Sequence, residues 1–321
     1  MKLGIIGSGM IVKDLLSFIQ TIPSITLEGI YARSADKAQA LQSEHNIHHS
    51  YTEYDMMLAS NEIDTVYIGL PNHLHYSYAK QALLKGKHVI CEKPFTPTLR
   101  EFNELVEIAH SQQVMLLEAI SNQYQENYLA LHDYLPKLGE IKIIECNYSQ
   151  YSSRYADFKN GVIHPVFNPE MSGGALMDIN IYNIHFVIGL VGEPKDVQYY
   201  PNMEKDIDTS GVLILDYGSF KSVCIGSKDS KASHSIHIQG DRGTIHIDNP
   251  TNHIKSFNYI PHEQAVENEG ITPSQHHRMY DEFVEFARII QYNDYTKADE
   301  RLNHSKKVMQ VLESAISSTT H

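Results

Sequence analysis

Three groups of residues in this chain have the types and spacing to do chemistry. The first is Glu92-Lys93-Pro94, which closes the apolar run His88–Cys91. Pro94 biases Lys93 away from helical geometry and so restricts its direction. A lysine desolvated at a strand end can polarise a carbonyl or take part in proton transfer; the plain alternative is a surface salt bridge. The second is Gly173-Gly174-Ala175-Leu176-Met177-Asp178, which opens a helical pattern carrying Tyr182 and His185. Asp178 and Tyr182 are four apart and share a helix face, with His185 near it. A carboxylate and a phenol so placed can bind a hydroxylated molecule and move its proton, or serve only as a capping Asp and a core Tyr. The third is Gly7-Ser8-Gly9-Met10-Ile11-Val12, directly after the apolar Leu3–Ile6. It fits G-x-G-x-x-G/A except at Val12, and such a turn between strand and helix lets backbone N–H groups cradle a pyrophosphate.

A glycine loop and a later strand-end lysine together point to a nicotinamide-dependent oxidoreductase. Gly7, Ser8, Gly9, Met10 and Ile11 are the expected phosphate loop. The next strand ends Tyr31-Ala32-Arg33-Ser34, with Lys37 one turn into the following helix. An acidic residue there would bond the ribose hydroxyls; Arg33, Ser34 and Lys37 instead suit a 2′-phosphate. NADP(H) is therefore favoured, with NAD(H) possible. Leu70, Pro71, Asn72 and His75 follow a third strand at the same carboxyl edge and, with Glu92 and Lys93, are expected to face the cofactor. His75 is also expected to line the substrate pocket. Further substrate contacts are expected from the irregular 151–172 stretch (Arg154, Tyr155, His164) and from His185. Lys93, Tyr182 and Asp178 are the expected catalytic set. No metal site is expected: there is no HExxH or CxxC, and His48-His49 and His276-His277 are adjacent pairs that do not share a helix face.

Strand and helix signals alternate over the first 120 residues. Strands are expected at 3–6, 25–31, 64–70, 88–91 and 114–117. Helices are expected at 10–22, 34–44, 75–85 with Gly86 just beyond, and 98–110, where Thr98-x-x-Glu101 is a capping box. This alternation implies a doubly wound parallel sheet. After residue 120, helices at 123–135 and 174–191 give way to closely spaced strand signals at 141–150, 197–200, 211–217, 220–226, 235–240, 244–247 and 253–259. Turn residues between them suggest an antiparallel meander. Two helices, 274–292 and 300–317, finish the chain. The expected division is a dinucleotide-binding domain at 1–120 and a substrate domain at 121–321, the C-terminal helices able to pack back on the first. A ligand cleft is expected between the two.

The 321 residues carry a net charge of −13, which argues against nucleic-acid binding, since that needs a basic surface. Cys91, Cys146 and Cys224 lie far apart, the usage of a reducing compartment. With no leader pattern and no run of eighteen apolar residues, neither secretion nor a membrane span is expected, and the cytoplasm is the expected location. A small-molecule substrate is the expected partner.

Gly7-x-Gly9, Asn72-x-x-His75, Glu92-Lys93-Pro94, the Gly173–Asp178 run and Gln239-Gly-Asp-Arg-Gly243 resemble the glucose–fructose oxidoreductase / inositol dehydrogenase / rhizopine-catabolism (Gfo/Idh/MocA) family. The resemblance covers nearly the whole chain. It implies an N-terminal Rossmann domain and a C-terminal α+β domain with a large, mostly antiparallel open sheet, often used for dimerisation, so that a homodimer or dimer of dimers is expected. Tyr182 places the chain nearer the family's tyrosine branch, which resembles dimeric dihydrodiol dehydrogenase and commonly uses NADP. Two positions depart from the family pattern: Val12 for Ala or Gly, which would loosen helix–strand packing, and Asn180 for Gly on the active-site helix, which would alter the pocket. The expected activity is hydride transfer between nicotinamide and a secondary alcohol or carbonyl of a sugar, polyol or cyclic diol. Two other readings share parts of this pattern. A redox-sensing regulator would keep the glycines without needing Lys93, Asp178 and Tyr182 together. An enzyme recycling a tightly bound cofactor would keep them all.

Overall fold

The computed structural model describes residues 1–263 and 275–319. They fall into two compact units: Met1–Ala119 with Met279–Lys306, and Ile120–Arg278 with the chain from Lys307 onward.

In the first unit, β1 (Lys2–Ile6), β2 (Thr26–Tyr31), β3 (His49–Tyr51), β4 (Thr65–Ile68), β5 (His88–Glu92) and β6 (Leu116–Ala119) form a six-stranded sheet. Its order is β3-β2-β1-β4-β5-β6, and every neighbouring pair is parallel. β4 and β6 are buried along their full length, as the strands of a parallel sheet covered on both faces must be. The chain leaves β1 in one direction and resumes at β4 on its other side. That reversal opens a crevice at the carboxyl ends of β1 and β4, the usual ligand position in such sheets.

The covering helices are α1 (Met10–Leu16), α2 (Ala35–Glu44), α3 (Tyr54–Ala59), α4 (His75–Leu84) and α5 (Leu99–Gln112). Thr98 caps α5: its hydroxyl accepts from Glu101 N, and the Glu101 carboxylate accepts from Thr98 N. Gly86 stands just past α4 at φ +72°, as an αL terminator requires. The helix expected to reach residue 22 ends at Leu16, followed by a 3₁₀ turn at Ile19–Thr21. Ser17 and Thr21 hydroxyls donate to the carbonyls of Asp14 and Phe18, offering the backbone a local alternative to helix. β3 and α3 were not expected; both are short.

In the second unit come α6 (Glu126–Tyr134), β7 (Ile141–Ser149), α7 (Tyr155–Lys159), α8 (Ile181–Val191), β8 (Asp196–Glu204), β9 (Ile207–Asp216), β10 (Lys221–Ser227), β11 (Ser235–Gly240), β12 (Gly243–Ile247) and β13 (Asn258–Pro261). The seven strands run in the order β13-β12-β11-β7-β10-β9-β8. This is no simple meander. β7 lies between β10 and β11 and is parallel to β10, so the 228–234 connection must pass over the end of β7. The strand expected at 253–259 is displaced to β13. Residues before it are instead held by buried side-chain amides: Ile254 N donates to Gln125 Oε1 and Asn127 donates to the Ile254 carbonyl.

α8 packs on β7 and β10 and buries Ile181, Ile184, Phe186, Val187 and Ile188, each worth about 1.5–3 kcal/mol. The stretch Pro169–Val191 is apolar and long enough to cross a bilayer, yet 83% of its most apolar window is buried within the protein. Its apolarity serves the core. α9 (Tyr280–Gln291) and α10 (Tyr295–Ser318) are the last helices among the described residues; the expected start of the first at residue 274 lies outside the described residues.

Candidate active site

The glycine loop follows from local sterics. Gly7 has φ +121°, a conformation open to glycine and costly for other residues. A Cβ there would strike the carbonyl of Gly69, whereas one at Gly9 would meet nothing within 4 Å. The backbone at Gly9, the N-cap of α1, thus borders open space. No side chain caps α1 and no acidic residue occupies its first turn, leaving its amide groups for an anion. The loop fits a dinucleotide pyrophosphate. Val12 does not loosen the packing: it is fully buried. A Cβ on Gly69 would lie 2.8 Å from Val12 Cγ2, so the space lent elsewhere by a small third-position residue is here lent by Gly69.

At the end of β2, Ser34 caps α2, its hydroxyl accepting from Lys37 N at 3.4 Å. Arg33 and Lys37 are exposed, and neither has an ion pair among the described residues. Their charges remain available to a phosphate.

Lys93 follows β5 at the carboxyl edge of the sheet and is half-buried. The Lys93–Pro94 peptide is cis. Glu92 is buried, and Tyr67 donates to its Oε1 at 2.7 Å, so the carboxylate faces the interior. His75, expected to touch substrate, is fully buried. Its Nδ1 lies 2.8 Å from the Pro94 carbonyl and its Nε2 2.8 Å from the Leu70 carbonyl. The ring ties the loop after β4 to the loop after β5. Only an imidazolium could donate to both carbonyls, and both raise its pKa; burial outweighs them and, with the Lys93 charge, holds His75 below the ordinary range.

In the second unit, one edge of the sheet gathers the chemistry. β7 and β10 end there, and β9, antiparallel to β10, begins there. Leu176–Asn180 is a π-helical turn leading into α8, a feature that often marks functional sites. Its start is fixed by Asp208, which accepts from Leu176 N and the Tyr199 hydroxyl, both at 2.7 Å. Burial raises the pKa of Asp208. Gly174, at φ +107°, leaves room for that carboxylate, which a Cβ would strike.

Asp178 is ion-paired with Lys228, whose side chain is 5% exposed against 35% for Asp178. Sequence reasoning missed Lys228: a lone lysine after β10 carries no signal, and only the fold sets it under Asp178. Tyr182 is 8% exposed, its ring 6.0 Å from that of Tyr148. Asn180 faces β10. It packs on Gly226, where a Cβ would come within 2.6 Å of Asn180 Cβ, and donates to the Cys224 carbonyl.

His185, expected as a substrate contact, is fully buried in α8, withdrawn because it lies a turn deeper than Tyr182. Tyr155 is likewise committed, donating to Glu204 at 2.7 Å and packing against Phe158 and Phe167; the bond to Glu204 pushes its pKa up to about 12. His164 pairs with Asp157 at 2.7 Å. Arg154 is exposed at the start of α7.

Residues 1–120 match the oxidoreductase family with an NAD-binding Rossmann fold, and residues 136–246 match the GFO/IDH/MocA C-terminal domain. The chain is 34% identical to scyllo-inositol 2-dehydrogenase (NADP(+)) IolU of Bacillus subtilis (strain 168), over 98% of this chain and 95% of that protein. It is 28% identical to trans-1,2-dihydrobenzene-1,2-diol dehydrogenase of Xenopus tropicalis, over 77% of this chain and 74% of that one. Among solved structures, KijD10, a 3-ketoreductase from Actinomadura kijaniata in complex with NADP and TDP-benzene, superposes with a TM-score of 0.86. The identity is 19%, covering 98% of this chain and 97% of that one; the likeness there is of fold.

Proposed function

The chain belongs to the Gfo/Idh/MocA oxidoreductases, and from that premise we propose that it is an NADP-preferring dehydrogenase acting on a secondary alcohol of a polyol, sugar or cyclic diol, or on the matching carbonyl. The observation that carries this reading is Asp178, a carboxylate held by a buried lysine one helical turn before Tyr182. That pair recognises vicinal hydroxyls: Asp178 accepts a hydrogen bond from one, and the Tyr182 phenol exchanges a proton with its neighbour. Lys93 stabilises the negative charge that develops on the reacting oxygen, and His75 holds the loop that carries Lys93. Gly7, Ser8, Gly9, Met10 and Ile11 hold the pyrophosphate of the dinucleotide, and Arg33 with Lys37 its 2′-phosphate. When bound, the nicotinamide supplies or accepts the hydride.

The second sheet leaves Ile143, Val212, Ile214, Val223 and Ile225 part-exposed on its outer face. We assign that face to a second copy of the chain, since an apolar sheet face in a soluble assembly needs covering. Buried Cys91, Cys146 and Cys224 are free thiols, which suits work in the cytoplasm.

The experiment titrates the protein with NADPH and NADH by nicotinamide fluorescence, then measures turnover of inositols and cyclic diols. Arg33→Ala is expected to weaken NADPH binding about tenfold, ~1.4 kcal/mol, and to spare NADH. Equal effects on both cofactors would overturn the 2′-phosphate assignment. Turnover of Lys93→Met within about tenfold of the parent would remove Lys93 from the reaction.

A further inference from the structure

The crossover of the 228–234 connection above β7 builds a second feature of the same sheet edge. A cavity of about 630 Å³ opens there, lined by side chains that include Tyr148, Lys231, His234, His253, Lys255 and Arg278. Its volume lies within the range of small-molecule sites, ~300–1,000 Å³. Among the described residues no carboxylate lines it, although acidic residues outnumber basic ones 39 to 26 in the chain. Lys231 and Lys255 converge, beside Arg278, on one cavity of an acidic protein. Lys231 and Lys255 are exposed and have no ion pair among the described residues, and His234 Nδ1 is buried without a hydrogen bond. The field is felt locally: burial, then Lys255, Arg278 and His277, hold His253 down to about 4.

The floor of this cavity is built, not incidental. The loop from Asn249 to Lys255 is pinned from beneath by buried polar side chains. Ser121 and Gln125 donate to the Asn252 carbonyl, Gln125 accepts from Ile254 N, Asn127 donates to the Lys255 carbonyl, and Thr251 donates to Asn183. Such a network fixes the loop before any ligand arrives, which lowers the ordering cost of binding. The cavity lies one side chain from the proposed chemistry: Tyr148 lines it, and the Tyr148 ring stands 6.0 Å from the Tyr182 ring. A molecule whose hydroxyls meet Asp178 and Tyr182 would carry its far end toward Lys231 and Lys255.

We propose that this basic cavity binds an anionic group, a phosphate or a carboxylate, on the far side of the substrate, so that the preferred substrate is a charged sugar or polyol and not a neutral one. The proposal deepens, and rests on, the dehydrogenase reading above. Convergent cations in a partly desolvated cavity bind such groups through charge-assisted hydrogen bonds.

The test uses the full chain with NADP. Turnover is compared for a neutral hexose, its 6-phosphate and its uronate, in the parent, in Lys231→Met and Lys255→Met, and in Lys142→Met, a surface lysine paired with Glu140. Separately, calorimetry measures binding of inorganic phosphate to each protein. Expected is at least a tenfold preference in kcat/KM for one charged substrate, expressed mainly in KM. The preference and the phosphate binding should both fall about tenfold in Lys231→Met and Lys255→Met and persist in Lys142→Met. Which charged substrate wins identifies the group. Phosphate bound by the parent and lost in the two variants, with no sugar turned over, would keep the cavity assignment and sink the dehydrogenase reading. Equal turnover of neutral and charged sugars, or phosphate binding indifferent to Lys231 and Lys255, would overturn the proposal and leave the dehydrogenase intact.

Discussion

Replacing Lys228 by Met separates the ion pair that positions Asp178. The substituted side chain keeps the stem buried, so the change is mainly one of charge. Breaking a fully buried pair typically costs about 3–5 kcal/mol, whereas exposed pairs are worth about 0–1. Lys228 is 5% exposed and Asp178 35%, so water can take over part of the carboxylate's stabilisation. We therefore expect an intermediate loss of about 1.5–2.5 kcal/mol. Because Asp178 can turn toward water, most of that loss should appear as misplacement of the carboxylate and not as unfolding. The expected result is a fall in kcat/KM of about ten- to fiftyfold, with a drop in Tm of only a few degrees. Steady-state rates from nicotinamide absorbance and a calorimetric melt read the two effects. The decisive comparison is Asp178→Asn combined with Lys228→Met. If the lysine acts through the carboxylate, the double variant should be no worse than Asp178→Asn alone. Additive losses, or a Lys228→Met enzyme within twofold of the parent, would refute the reasoning.

Two further outcomes follow from His75 and His253 and from the glycine loop. His75 and His253 both have pKa values below the ordinary histidine range, so the unfolded chain binds protons first and folding is weakened as pH falls. For His253 the window runs from about 6.5 down to about 4; Tm should decline across it, and His253→Gln should flatten the decline, an unchanged slope ruling the contribution out. At the loop, Gly69→Ala would place a methyl 2.8 Å from Val12 Cγ2 and 3.0 Å from Tyr67 Cε1, costing about 1–3 kcal/mol as overpacking. Adding Val12→Ala should recover most of that loss in a thermal melt, whereas simple additivity would show that the two positions do not share the space.

What could be read along the chain was local. The strand–glycine turn, the Thr98 capping box and the Gly86 terminator each depend on neighbours within a few residues, and they appear as expected. So does the parallel order of the first sheet, because alternating strands and helices leave few alternatives. Side-chain direction is not local. Asn72-x-x-His75 correctly marks a carboxyl edge, yet His75 turns inward to two carbonyls, and spacing alone cannot distinguish a residue lining a pocket from one bracing its wall. Val12 and Asn180 looked like departures because the glycines that accommodate them, Gly69 and Gly226, lie in other strands or just beyond them.

The same argument explains Lys228. Nothing in Gly226-Ser227-Lys228 foretells a buried cation, because its burial depends on β7 entering the sheet between β10 and β11. That insertion makes the chain cross the end of β7, sets Lys228 beside Asp178, and carries Lys231 and His234 over Tyr148. One strand's place in the sheet therefore creates both the support for the carboxylate and the basic cavity beside it. Shortening the 228–234 connection should damage both together, while substitutions within the 249–255 loop should alter the cavity alone.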